Sequence, residues 1–316
     1  MGEQVTCLQA GSKNYKVRDD TIFVPVRTVH PQFFPDLYPA NKKLTMKRKL
    51  IFASFILFAI VSAFSCAHKK GTKTSLKEEN VTYTSDSITL NGFIAYDEKK
   101  EGIRPAILVI HEWWGLNDYI RNRARQLAEL GYIAMAVDMY GNGKNAANPD
   151  EAGKLAMPFY QNPQMAKNRL DAALAKLKDY TQTDKNNIAS IGYCFGGSVA
   201  LNTAKLGEDI KGAVSFHGNL LGVPPDKNLL KAKILVCHGA DDKFVTQQEV
   251  DQFRHQMDSI GADYTIKIYP NATHSFTNPD ATKIGQQFNI PIAYNAEADK
   301  QSWDDMKAFF ERLFGK

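Results

Sequence analysis

Apolar and polar positions alternate in blocks along most of this chain. Short, nearly continuous apolar runs fall at 87–96, 105–111, 132–138, 187–192, 210–216, 233–238 and 263–269, the pattern of strands covered on both faces. Segments of helical period lie between them, at 117–130, 164–180, 197–206, 246–260 and 297–314. Within 164–180, Met165, Leu170, Ala173, Leu174 and Leu177 share one face while Lys167, Lys176, Lys178 and Asp179 take the other. The alternation predicts one α/β domain over 81–316, with a mainly parallel central sheet flanked by helices on both faces. Ligands of such sheets sit at the carboxyl ends of strands. Chemistry is therefore sought just past each apolar run.

The front of the chain follows no such pattern. Lys47, Arg48 and Lys49 precede an apolar stretch from Leu50 to Val61, and Ala63, Ser65 and Cys66 close it with small residues. This is the layout of a secretory signal peptide over 46–65. It resembles a bacterial lipoprotein signal, in which Cys66 is lipidated and becomes the first mature residue. The apolar stretch is short for a membrane span. Residues 1–45 carry prolines and little periodicity, and are read as a spurious upstream extension with Met46 the start. Residues 66–80 are polar and read as a tether. The expectation is an exported, membrane-anchored, monomeric protein facing the periplasm.

Charge changes meaning once this front is set aside. Residues 1–65 hold nine Lys/Arg and four Asp/Glu of the chain's 39 and 34, which leaves thirty of each beyond. The net charge of +5 thus points to no nucleic acid and no acidic substrate. Of the four cysteines, Cys7 falls in the extension and Cys66 is the lipidation residue at the head of the tether, so Cys194 and Cys237 alone remain in the domain and no disulfide framework is implied.

The most informative motif is Gly-Tyr-Cys-Phe-Gly-Gly at 192–197. A strand ends at Gly192, a lone reactive side chain follows at Cys194, and Gly196 and Gly197 open a helix. This is the nucleophile elbow of the α/β-hydrolases, with cysteine where serine is more usual. Side chains at 192 or 196 would collide where strand and helix meet. The thiol stands at a helix N-terminus, which favours a thiolate and later an oxyanion. A buried structural cysteine is the plain alternative.

An acid and a histidine should follow in that chain order. The 233–238 run leads to Asp241 and Asp242, and the 263–269 run leads to His274. Either aspartate could orient the histidine. Asp138 precedes the cysteine and is read as structural. The 105–111 run ends in His111, Glu112, Trp113 and Trp114, in the loop expected to give one oxyanion-hole N–H. The backbone N–H groups of Trp113 and Phe195 are the candidates. Glu112 is either chemical or a partner for a nearby arginine. His217 and His238 are read as packed histidines. His111 and Glu112 lack the spacing of a zinc helix, and 141–144 lacks that of a phosphate loop. Neither a metal nor a cofactor is indicated.

At four ordered motifs over roughly 80–316 the chain resembles the dienelactone hydrolase family. These are His-Glu-Trp-Trp-Gly-Leu-Asn from 111, Gly-Tyr-Cys-Phe-Gly-Gly from 192, Gly-Ala-Asp-Asp-Lys-Phe-Val from 239, and His-Ser-Phe from 274. The resemblance implies an α/β-hydrolase fold and a Cys194–His274–Asp242 triad, selecting Asp242 over Asp241. It also implies that Glu112 takes the resting thiol's proton. Family members that bind an anionic lactone carry arginines where this chain has Asn142 and Asn278, and an amide is a poor clamp for a carboxylate. Asn142, Asn278 and Trp114 are accordingly the candidates for contacting substrate. The implied activity is hydrolysis of a carboxylic ester or lactone through an acyl-cysteine. A non-catalytic binding lipoprotein on the same fold, or a peptidase or acyltransferase with the same triad, are the alternatives.

Overall fold

The structure, a computed structural model, describes residues 74–315. The extension, the signal, Cys66 and the first part of the tether lie outside the described residues. Eight strands form one sheet: β1 Leu76–Ser85, β2 Ile88–Asp97, β3 Arg104–Ile110, β4 Ile133–Val137, β5 Thr183–Tyr193, β6 Gly212–Phe216, β7 Lys233–Gly239 and β8 Tyr264–Tyr269. Their order is β1-β2-β4-β3-β5-β6-β7-β8. β1 and β2 pair antiparallel, β2 meets β4 antiparallel, and the ladder from β4 through β3 to β8 is parallel. The predicted mainly parallel sheet is the sheet observed.

Seven helices are described: α1 Asp118–Glu129, α2 Pro149–Gln161, α3 Pro163–Lys178, α4 Phe195–Lys205, α5 Gln247–Ser259, α6 Ala281–Phe288 and α7 Ala296–Phe314. The strand pleat divides the core in two. Ala106, Leu108 and Ile110 of β3 face a layer built with Leu170 and Leu174 of α3, Val199 of α4 and Phe253 of α5. Ile107 and Val109 face the other layer, with Ile120 and Leu127 of α1 and Met306 and Phe310 of α7. Every residue of β3 and β4 is buried, which is why these strands read as unbroken apolar runs. Among the described residues no helix is long and apolar enough to cross a membrane.

Three elements depart from the sequence reading. The tether expected to reach residue 80 gives way to β1 at Leu76, where Leu76 pairs with Asp97 and Asn80 with Phe93. β1 is an edge strand, buried only at Val81, Tyr83 and Ser85, so half of its positions are polar. Helix α2 has Pro149 in its first turn, Gly153 and an internal Pro158, a composition that reads as loop. Asn148 nonetheless caps it by accepting from the Glu151 N–H. Helix α6 is too short for a period to show.

Candidate active site

The elbow follows from steric necessity. Cys194 adopts φ 52° and ψ −114°, left-handed backbone that a non-glycine residue rarely holds. A Cβ on Gly192 would come within 1.9 Å of the Gly196 carbonyl oxygen, and one on Gly196 within 2.3 Å of that of Ile110. Only glycines let β5, the turn and α4 approach this closely. The strained turn is anchored by its own N–H, which donates to the Phe216 carbonyl (3.0 Å) and toward Nδ1 of His217 (3.1 Å). Phe195 opens α4, so its N–H has no intrahelical acceptor. The Cys194 side chain is half-buried and Cys237 wholly buried, and both are free thiols.

His274 follows β8, and its Nδ1–H donates to Oδ2 of Asp242 at 2.8 Å. The other carboxylate oxygen, Oδ1, accepts from the N–H groups of Phe244 (2.8 Å) and Val245 (3.1 Å). Asp241 is exposed, so Asp242 is the partner. The opposite ring edge of His274 faces Cys194 across the same cavity, near enough for a charge on the sulfur to act on the ring. Burial alone would lower the pKa of His274, but the charge on Cys194 and the bond to Asp242 outweigh it and raise it to about 10. Burial would raise that of Asp242; the bond and charge of His274, with the two N–H donors, hold it below its ordinary value.

These opposed shifts set a pH window for stability. The pair contributes fully above the ordinary carboxyl value of 3.8 and below the ordinary imidazole value of 6.5. Its contribution falls as acid protonates Asp242, and again as His274, held up first by Cys194 and then by Asp242, loses its proton toward about pH 10. Urea unfolding of the parent and of Asp242→Asn should therefore differ most at pH 5–6 and converge toward both extremes. A gap that stays constant from pH 5 to 10 would show that the pair is not an ion pair.

The loop after β3 is held by its own neighbours. Nε2 of His111 accepts from the Met139 N–H, so its Nδ1–H faces the Glu112 carbonyl. Burial lowers its pKa to about 4, leaving the ring neutral. The Tyr140 hydroxyl donates to the Trp113 carbonyl at 2.8 Å, orienting that peptide. The Trp113 N–H meets no acceptor among the described residues. Asp138 accepts from the N–H groups of Asn91, Gly141 and Gly143, the structural role expected of it.

Cys194 and His274 open into a cavity of about 310 Å³. Its walls are mostly apolar, with Trp113, then Ala156, Met157 and Tyr160 of α2, and Phe244 and Ile292, while Asn219 and Ser275 add polar groups. Among the described residues that line it, the ionisable side chains are Cys194, Tyr160 and His274. The three substrate-contact candidates are not among its walls. Trp114 packs edge-to-face against Trp113, with ring centroids 5.1 Å apart, stacks on Phe288 and lines a separate groove. Asn142 is exposed at φ 55° in the loop organised by Asp138. Asn278 is buried behind the site and donates to Oε2 of Glu112 at 2.7 Å. Glu112 is itself buried, with no hydrogen bond to Cys194 among the described residues.

His217 is more than a packed histidine. Nδ1 takes up the Cys194 N–H while Nε2–H faces Thr277 Oγ1 at 2.7 Å; burial drives its pKa well down. It thus ties the elbow to the loop carrying His274. Position after β6 was the available signal, and nothing local distinguished it from a core residue. His238 is buried and packs as expected. Among the described residues no group of three or more His, Cys, Asp or Glu is arranged to hold a metal.

Comparison with known proteins agrees with this architecture. A protein of Aquifex aeolicus named as a candidate carboxymethylenebutenolidase is 30% identical over 236 residues, covering 73% of this chain and 96% of its own. Protein usf of Aquifex pyrophilus is 29% identical over 228 residues, covering 69% and 97%. Among solved structures, a dienelactone hydrolase-like promiscuous phosphotriesterase from metagenomic libraries superposes with a TM-score of 0.71 at 32% identity, covering 76% of this chain and 99% of that one. The sequence profile of the dienelactone hydrolase family matches residues 90–314, and the chain belongs to that family.

Proposed function

We propose that the protein hydrolyses uncharged carboxylic esters or lactones through an acyl-enzyme on Cys194. The observation that carries this is the meeting, in one apolar cavity, of a strained half-buried cysteine with a histidine held by a buried aspartate. The Cys194 thiolate attacks the carbonyl carbon, and the new oxyanion lies before the N–H groups of Trp113 and Phe195. Collapse breaks the C–O bond, and the leaving alkoxide takes the proton from Nε2 of His274. This leaves a thioester and a neutral imidazole.

The same electrostatics turn the histidine into a base for the second half. Once Cys194 is acylated it bears no charge, and the strongest influence raising the His274 pKa is gone. Asp242 alone then holds the ring. His274 can take a proton from water, the hydroxide adds to the thioester, and the thiolate leaves with the acid product. The apolar walls favour a neutral acyl group, since a carboxylate entering there would lose its hydration without a fixed cation in return.

Rapid mixing of the full chain with p-nitrophenyl acetate should give a burst of nitrophenolate, and peptide mapping of the quenched mixture should find the acetyl group on Cys194. A neutral lactone should be turned over faster than one bearing a carboxylate. The solved relative's phosphotriesterase activity makes a neutral phosphotriester a useful fourth electrophile. Burst with the acetyl group elsewhere would overturn the reading. The basic and apolar regions before Cys66 support export with a lipid on that cysteine, testable by metabolic labelling with a fatty acid and its loss in Cys66→Ala.

A further inference from the structure

Glu112 has an environment unlike that of a working base. Its Oε1 is buried and meets no hydrogen-bond partner, and its Oε2 accepts only from the neutral amide of Asn278. The amide is itself fixed, because its oxygen accepts from the Asp280 N–H. Two cations face Glu112 from packed elements, and both are engaged elsewhere. Arg123 of α1 donates to Asp299 and to the Thr277 carbonyl. His274 is held by Asp242. Tyr119 of α1 and Ser275 are its remaining polar neighbours. A carboxylate here would carry its charge in a fully buried site, with the Asn278 amide as its one close donor and the Ser275 hydroxyl nearby, which disfavours ionisation.

We infer that Glu112 is a neutral carboxylic acid locked to Asn278, and that the Cys194 thiol passes its proton directly to Nε2 of His274. This rests on the reading of Cys194 as the nucleophile. With Oε2 accepting from Asn278, the acid proton resides on Oε1, and a neutral carboxylic acid is far too weak a base to take a thiol proton. Breaking the S–H bond and forming the Nε2–H bond yields thiolate and imidazolium, the latter steadied by Asp242. Burial raises the Glu112 pKa against the opposing bond from Asn278, the charge of His274, the Ser275 hydroxyl and the charge of Arg123, in keeping with this assignment. Glu112 is then a positioning residue that braces the loop bearing Trp113 against the loop bearing His274. The asparagine at 278 thus does more than remove a clamp for an anion: an arginine there would hold Glu112 ionised and leave it able to act as a base.

Glu112→Gln tests the inference, because an amide reproduces the shape of the neutral acid and still accepts from Asn278. The burst rate with p-nitrophenyl acetate should stay within about threefold of the parent, with the same pH profile. Glu112→Asp keeps a carboxyl but draws it back from Asn278, and should be slower than Glu112→Gln. At neutral pH the parent should show a protonated-carboxyl stretch in the infrared that is missing from Glu112→Gln. A burst slowed by about 100-fold or more in Glu112→Gln, the least expected on losing a general base, overturns the inference, as does absence of the infrared band. Failure of the nucleophile reading is distinct, since it would appear as a burst that survives in Cys194→Ala.

Discussion

Replacing Cys194 by alanine is expected to lower kcat/KM toward p-nitrophenyl acetate by about 10⁴-fold or more, and to abolish the burst. The fold should be untouched. Alanine and cysteine have the same preference against left-handed backbone, so the strain at φ 52° is neither added nor relieved. The Cys194 N–H keeps its bond to the Phe216 carbonyl, and the side chain lost is half-buried at the edge of a cavity. What disappears is the sulfur, and with it the partner that raises the His274 pKa. The residual imidazole should titrate nearer its ordinary range, visible by NMR. Unchanged turnover in this variant would end the acyl-cysteine mechanism.

Gly192→Ala should fail for a different reason, at the level of folding. The atoms its Cβ would meet are the Gly196 oxygen at 1.9 Å, the Gly196 carbon at 2.1 Å and the Gly197 nitrogen at 2.6 Å. All are backbone of α4, held by the helix and by the sheet beneath. No rotamer change clears them, so β5 and α4 must separate. The cost is expected to reach about 4 kcal/mol or more, a large part of the ~5–15 kcal/mol that keeps a domain folded. Little soluble protein, or a thermal midpoint lowered by roughly 10 °C or more, is the expected result. Gly153→Ala is the control: a Cβ there meets nothing within 4 Å, and a helical alanine should stabilise by about 0.5–1 kcal/mol. Equal midpoints for the two variants would show that crowding at the elbow does not limit the fold.

Cys194, Asp242 and His274 were all visible along the chain, because each follows an apolar strand and their order matches one known arrangement. The choice of Asp242 over Asp241 came only with the family resemblance, and the 2.8 Å bond to His274 agrees with it. The walls of the cavity were not visible. Met157 and Tyr160 lie on α2, whose prolines and glycine disguise a helix. Asn142 and Asn278 were nominated by the family's arginine positions and Trp114 by its loop, and none of the three lines the cavity.

The difference has a physical origin. Strand and helix periods, and the glycines that permit a sharp turn, are local properties: burial on two faces and steric exclusion act within a few residues. Those properties were enough to predict a mainly parallel sheet covered by helices and the elbow that presents Cys194, whereas the strand order and the edge strand β1 emerged only with the fold. What a side chain beyond a strand end faces depends on loops that meet only when distant strands align. Asn278 reaches Glu112 across 166 positions of chain, and His217 bridges Cys194 to Thr277. The apolar cavity, the neutral environment of Glu112 and the tie between elbow and histidine loop were decided by tertiary structure, because only there do burial and missing partners set the charge that a side chain can hold.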